Sequence, residues 1–245
     1  MRILEEEIMM SEEEVIAYDF LVKKYMQILH AGFVETVINL SPPDGRFLDV
    51  GTGTGWIAIG VVKNTLGIEV TGVDLSETML NVAEKNARGE GVQNRTRFMK
   101  GDAKGLHFED GSFDAVFCHN MLHHLPEPDK LVSEMMRVAK KDGTIIIRDL
   151  IRHSPLVAKL HVNLLGMTYN KLMKKEYLDS ILAALSETEW YDLFNKMNLK
   201  GARVTKQFVT HISMERPSER KRINYVSVPT PFYLKPFKSF YVSKL

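Results

Sequence analysis

Apolar positions recur at helical spacing near the start of the chain. Val15, Ile16, Tyr18, Phe20, Leu21, Val22, Tyr25, Met26, Leu29 and Phe33 predict helix across residues 11–40. Ser41-Pro42-Pro43-Asp44-Gly45 ends that pattern, because proline and glycine both break helices. Short apolar runs then alternate with amphipathic ones. Strands are predicted near 46–50, 69–74, 95–100, 113–119 and 143–149, with helices near 55–64, 77–88 and 129–139. Pro126 and Pro128 suit the first turn of the last of these. Alternation of this kind implies an α/β fold with a parallel sheet and helices on both faces.

The rhythm changes after residue 150. Two helix-like runs, 155–167 and 171–185, are rich in Leu, Met and Lys, and a further helix is expected at 187–197. Final strands are expected at 202–207 and 208–215. The tail Pro229-Thr230-Pro231-Phe232-Tyr233-Leu234-Lys235-Pro236-Phe237 reads as extended, with more aromatics than a chain leaves in water.

Composition narrows the class. The 245 residues suit one α/β domain with modest additions, and the apolar (44%) and charged (26%) fractions are ordinary for a globular protein. The single cysteine, Cys118, excludes an intrachain disulfide and suits a reducing cytoplasm. No apolar run reaches the ~18 residues of a membrane span. The acidic start lacks the shape of a signal peptide. A net charge of +1 conceals an asymmetry. Residues 1–20 hold seven acids and one base, and residues 201–245 hold nine bases and two acids. Solvated ends explain this, as does docking of one end on the other or on a partner subunit. A nucleic-acid patch fits less well, because apolar residues interrupt the bases.

The richest stretch chemically is Phe47-Leu48-Asp49-Val50-Gly51-Thr52-Gly53-Thr54-Gly55. A predicted strand meets three glycines and then the apolar helix run that begins at Trp56. A glycine-rich turn between strand and helix is where α/β sheets bind nucleotide-like cofactors. The spacing is not the dinucleotide fingerprint, whose third glycine would fall at Trp56, and no Walker-type loop occurs. Asp49 would repel a pyrophosphate and attract a cation. S-adenosylmethionine carries a sulfonium and an ammonium.

The segment resembles motif I of the class I S-adenosylmethionine-dependent methyltransferases. The similarity continues through Val70-Thr71-Gly72-Val73-Asp74-Leu75-Ser76, Gly101-Asp102-Ala103 and Phe113-Asp114-Ala115-Val116-Phe117, and covers residues 45–150 best. It implies a Rossmann-like, mostly parallel seven-stranded sheet with an antiparallel last strand. It also implies one domain: a helical cap (1–44), a cofactor-binding core (45–150), a helical insertion (151–186), a helix and strand hairpin (187–226) and an aromatic tail (227–245). The motif set is most like the small-molecule methyltransferases of ubiquinone and menaquinone biosynthesis.

The resemblance also implies a ligand set for S-adenosylmethionine. Asp49, Gly51, Thr52 and Gly53 line its methionine end, and Asp74 holds the ribose. Asp102, with Gly101 and the amide of Ala103, meets the adenine, and Leu75 and Met79 sandwich the ring. For Asp74 the rival role is a helix N-cap, although Ser76 can supply that cap itself. For Asp102 the rival is an exposed turn, and for Met79 core packing. His119 and Asn120 end the fourth strand, where open α/β sheets bind ligands. Tyr18 and Tyr25 are placed to reach over the methionine carboxylate or to join the core. Gly55 suits helix–strand packing, and Trp56 either packs on the sheet or flanks the cofactor.

Methyl transfer needs alignment and, for some acceptors, a base. His119-Asn120-Met121-Leu122 stands where amino methyltransferases acting on nucleic acid bases carry [DNS]-P-P-[YFW], which argues against base methylation. His123 and His124 are the candidate bases. Asp149 is placed to orient an acceptor, and Arg148 or Arg152 to bind an anion, or else Arg148 and Asp149 pair internally. Cys118 reads as a small buried apolar residue. No metal-ligand cluster is evident. The leading expectation is a small-molecule acceptor, with a homodimer contact or a lid as roles for the tail. An RNA or protein methyltransferase and a non-catalytic cofactor-binding subunit are the alternatives.

Overall fold

A computed structural model describes residues 2–4, 11–167 and 169–243. Glu5, Glu6 and Glu7 of the acidic end, and the last two residues of the tail, lie outside this range.

Seven strands form one sheet in the order β3-β2-β1-β4-β5-β7-β6. They are β1 (Asp44–Val50), β2 (Gly67–Asp74), β3 (Thr96–Lys100), β4 (Phe113–His119), β5 (Ala139–Leu150), β6 (Arg203–Gln207) and β7 (His211–Arg216). β1 to β5 pair in parallel, and β7 runs antiparallel to both β5 and β6. The expected class I methyltransferase architecture is therefore present, with β7 reversed.

Successive residues of a strand point to opposite faces, so a sheet covered on both sides needs unbroken apolar runs. Leu48, Val116, Ile145 and Ile147 face one core with α5 (Pro128–Val138) and α8 (Glu187–Met197). Phe47, Ala115, Phe117 and Ile146 face the other, with α2 (Gln27–Leu40), α3 (Trp56–Lys63) and α4 (Glu77–Gly89). Side-chain caps start several helices. Ser11 and Glu14 form a capping box on α1 (Glu12–Tyr25), Ser186 and Glu189 do so on α8, and Ser76 caps α4.

Three boundaries depart from expectation. The helix predicted across 11–40 is two helices, divided at Met26 (φ −97°, ψ 5°). β5 begins at Ala139 instead of 143, because α5 runs into it without a loop and the ladder with β4 shifts register between Phe113 and Ala115. The tail is not simply extended: a 3₁₀ turn (Phe232–Leu234) leads into α9 (Lys235–Lys238).

The chain after β7 folds back onto α2. Glu35 accepts from the Val228 amide (2.6 Å), Lys238 Nζ (2.7 Å) and Tyr225 Oη (2.5 Å). Tyr241 lies so close to Gly32 that a Cβ there would meet its Cβ at 2.5 Å. Two further helices, α6 (Pro155–Leu165) and α7 (Lys171–Ala183), form the insertion. They share a small core with Leu150, the last residue of β5, and so stand at the carboxyl end of the sheet.

Candidate active site

The loop after β1 is held by its neighbour strand. The amides of Gly51 and Thr52 both donate to the Val73 carbonyl of β2 (2.8 and 3.0 Å). Gly51 has φ +72°, and a Cβ there would stand 2.7 Å from Met121 Cγ. Gly53 has φ +53°, yet its missing side chain would point into open space, with Tyr18 nearest at 3.9 Å. The first glycine is required by packing. The second leaves main chain facing a cleft.

That cleft, open to solvent, brings together Asp49, Gly51, Thr52, Gly53, His119 and Asn120. All six were expected at the cofactor. Its outer wall is α1, through Tyr18 and Val22, with Met26 at the division between the helices and His30 from α2. Tyr25 is not among the lining residues; its ring packs edge-on against Tyr169 (5.1 Å). Tyr18 takes the position facing the glycine loop, where burial, then Asp74 and Asp19, push its hydroxyl up to about 12.

Asp49 is buried and accepts from Thr52 Oγ1 (2.8 Å). Burial raises its pKa to about 7; the Thr52 hydroxyl opposes this and the charge of Asp74 adds to it. Asn120 adopts φ +52°, its amide tied to the Arg148 carbonyl at 2.9 Å. Its Oδ1 is buried with no hydrogen-bond partner among the described residues. An orphaned acceptor in the same cleft as a carboxylate whose ionisation burial opposes makes a site that a cation would complete. His119 cannot be that cation, because burial, then His30, His211 and Arg148, hold its pKa well below the usual value.

Asp74 ends β2. Its Oδ2 accepts from the Gly53 amide and its Oδ1 from the Ser76 amide, both at 2.9 Å. Ser76 Oγ, not Asp74, caps α4 through the Met79 amide (3.3 Å). Burial raises the Asp74 pKa against these amides. Leu75 is half-buried beside it and Met79 is buried. Gly101 ties the end of β3 to β2 through its amide and the Asp74 carbonyl (3.0 Å), and Ala103 is buried. Asp102 sits in a turn of its own, accepting from the Lys104 amide (2.8 Å) and pairing with Lys104 Nζ (3.1 Å). These residues follow the same edge of the sheet but do not line the cleft.

The His-His pair lies on a 3₁₀ turn (Leu122–His124), not on the open loop expected. His123 Nδ1 is 2.6 Å from Asp149 Oδ1, and its amide donates to Asp149 Oδ2 at 2.9 Å. Both side chains are buried. Burial pushes the Asp149 carboxyl up, but His123 and the Leu150 and His123 amides outweigh it, and the net shift is downward. The His124 ring lies against that of His123, tilted by 38° with centroids 4.1 Å apart. Arg2 donates to the carbonyls of Leu122 and His123 (2.9 Å each) and fastens this turn.

The expected anion sites are occupied from within. Arg148 does not pair with Asp149, because adjacent strand residues point to opposite faces. It is fully buried on the α2 side, 3.5 Å from Glu215, and bonds Ser213, Ser243 and the Tyr241 carbonyl. Arg152 is held by both oxygens of Glu189 (2.8 Å). Cys118 is buried in β4, as expected. Gly55 packs against Ala83 and Phe98, also as expected. Among the described residues no group of His, Cys, Asp and Glu is arranged to hold a metal. His30 was missed; its signal was a polar residue on an otherwise apolar helix face.

A family model described as a methyltransferase domain matches residues 48–147. An uncharacterized methyltransferase of Bacillus subtilis, YcgJ, is 30% identical over 208 residues, covering 78% of this chain and 81% of that protein. The chain belongs to the S-adenosylmethionine-dependent methyltransferases. The crystal structure of YcgJ superposes with a TM-score of 0.54 at 26% identity, over 72% of this chain and 69% of that one. A Haemonchus contortus phosphoethanolamine N-methyltransferase, solved with phosphomonomethylethanolamine and S-adenosylhomocysteine, gives 0.58 at 25% identity. That match covers 80% of this chain and 43% of that one. A demethylmenaquinone methyltransferase of Bacteroides fragilis is 29% identical over 59% of this chain and 62% of that protein. The cofactor of this methyltransferase is S-adenosylmethionine, and the residues of the cleft fit it: a glycine bend open to a ligand, Asp49, and the unpartnered Asn120 Oδ1.

Proposed function

We propose that this methyltransferase, read as a single domain, acts on a small-molecule acceptor. The observation that carries the binding half is the pair of buried acceptors, Asp49 and Asn120 Oδ1, at a bend where Gly53 exposes main chain. S-adenosylmethionine supplies a methyl group activated by its sulfonium. Asp49, Thr52, Gly51, Gly53 and Asn120 receive the methionine end, with His119 as a neutral wall. Asp74 accepts the ribose hydroxyls; Leu75 and Met79 enclose the adenine, and Asp102 and Ala103 meet its edge. His123, its Nδ1 oriented by Asp149, takes the acceptor's proton at the other ring nitrogen, with His124 packed beside it.

An RNA substrate is disfavoured by charge. Arg220 pairs with Asp114 and Asp142, Lys206 with Glu187, and Lys238 with Glu35, so three bases of this end are taken up by acids in the body of the same chain. The test is calorimetric titration with S-adenosylmethionine, then transfer of labelled methyl to fractionated extract. Label in low-mass organic fractions supports the proposal. Label confined to RNA or protein overturns the acceptor class, and binding without any transfer overturns the catalytic half.

A further inference from the structure

An apolar helix face standing in water has to be covered by something. α6 is such a helix. Its inner face, Ala158 and Val162, is buried against α7 and the end of β5. Its outer face is apolar too. Leu156 is 80% exposed and Leu160 and Leu164 are 58% exposed, one above another at four-residue spacing. Met167 (75%) and Leu172 (63%) continue the surface through the turn into α7.

Lysines are the charged residues along this stretch of chain, up to the exposed Glu176 that follows it. Residues 155–175 contain Lys159, Lys171, Lys174 and Lys175 and no acid. Lys159 and Asn163 flank the leucine row on α6, and Lys171 opens α7. Lys175 pairs within its own helix with Asp179 (2.8 Å), and Lys159 and Lys171 are exposed. Apolar side chains rimmed by lysine are the composition of a helix that lies in the headgroup layer of an anionic bilayer. A second copy of the same face fits less well, because a twofold contact would set these lysines opposite each other.

We propose that the outer face of α6, with the turn into α7, docks on an anionic lipid surface. The leucines enter the boundary between headgroups and chains, and Lys159 and Lys171 meet the lipid phosphates. The inference does not depend on the methyl-transfer reading, since docking is read on the protein without cofactor or acceptor.

The experiment is flotation of the full chain with vesicles of phosphatidylglycerol and phosphatidylcholine in equal parts, against phosphatidylcholine alone. The chain is expected to float with the anionic vesicles and to be released at about 0.5 M salt. Leu156→Ser with Leu160→Ser and Leu164→Ser should lower partitioning by on the order of tenfold or more. Lys159→Gln with Lys171→Gln should lower it by about tenfold on anionic vesicles only. Unchanged melting temperature and S-adenosylmethionine affinity establish that each variant is folded. Should the serine variant not fold, Leu160→Cys carrying an environment-sensitive dye reads the same face, and a blue shift on anionic vesicles is expected. A chain that stays unbound, or variants and dye that do not respond, overturn the proposal. So does a dimer in light scattering that the serine variant dissolves while vesicles are ignored, since the face would then join two copies.

Discussion

The Asp19 carboxylate of α1 accepts a hydrogen bond from Trp56 Nε1 at 2.7 Å. The same oxygen accepts from Asn86 Nδ2 (2.9 Å), and Lys23 pairs with Asp19 at 2.9 Å. Asn86 also reaches the Thr54 carbonyl of the glycine loop (3.0 Å). Burial pushes the Asp19 pKa up, but the bonds from Trp56, Lys23 and Asn86 prevail and hold it low. α1 is thus clasped to the loop it covers. Asp19→Ala should release it and speed cofactor exchange, weakening affinity by roughly 1–3 kcal/mol. Stopped-flow emission from Trp56 measures the rate, and an unaltered off-rate would reject the clasp.

Asp49 sets a dependence on pH. Its pKa rises from an ordinary 3.8 to about 7 on folding. The stability tied to its protonated form is complete below the lower value and fades as pH climbs through the higher one. Asp49→Asn does not titrate. Its stability should overtake the parent's progressively between those two values and stay ahead beyond pH 7, by on the order of 2–4 kcal/mol. Cofactor binding should run the other way. The parent, which needs the carboxylate, gains affinity from pH 6 to pH 8, and the asparagine variant binds weakly throughout. Parallel calorimetry at several pH values tests both signs.

Asp74→Ala removes the acceptor of the Gly53 and Ser76 amides. Loss of about 1–3 kcal/mol in cofactor affinity is expected. Full affinity would remove Asp74 from the ribose.

His123→Ala and Asp149→Asn should each cut transfer at saturating cofactor by about 10²–10⁴-fold, with cofactor affinity kept. His124→Ala should cost less, because the Asp149 bond belongs to His123. If His123→Ala keeps the parent's turnover on a labelled acceptor, the dyad is structural.

Glu215 lies fully buried against Arg148. Burial lowers the Arg148 pKa to about 10, with Glu215 opposing the shift. Glu215→Gln would strand a charge in the core and should destabilise the fold by roughly 3–5 kcal/mol. Denaturant titration provides the measurement, and a midpoint matching the parent's would show the pair to be dispensable.

The sheet and its glycine loop were legible because their signals are local. Apolar runs mark strands buried on both faces, and Gly51, Gly53, Asp49 and Asp74 stand within or beside such runs. What escaped depends on distant partners. The division at Met26 carries no glycine or proline. The acid facing Arg148 is Glu215, 67 positions further along, and strand alternation alone excludes Asp149. Asp149 instead meets His123 across two strand ends, a pairing that sequence order conceals. Trp56 gave no hint that it would bond to α1, and Tyr18 and Tyr25 could not be separated until the twist of that helix was fixed. The tail's aromatics predicted burial, and part of that expectation holds in Tyr241 against Gly32, while Phe232 and Tyr233 stay exposed.

The strand order has a corollary for engineering. β1 and β4 lie side by side at the middle, with β2 and β3 on one flank and β5, β7 and β6 on the other. The proposed donor contacts come from the turns after β1, β2 and β3 with His119 and Asn120 at the end of β4, and the proposed acceptor side comes from the segments beyond them. A chimera joined just after Asn120 would splice the front half of this chain, with Asp49, the glycine loop, Asp74, His119 and Asn120, to the rear half of a relative, and is expected to exchange acceptor preference while the donor pocket stays as inherited.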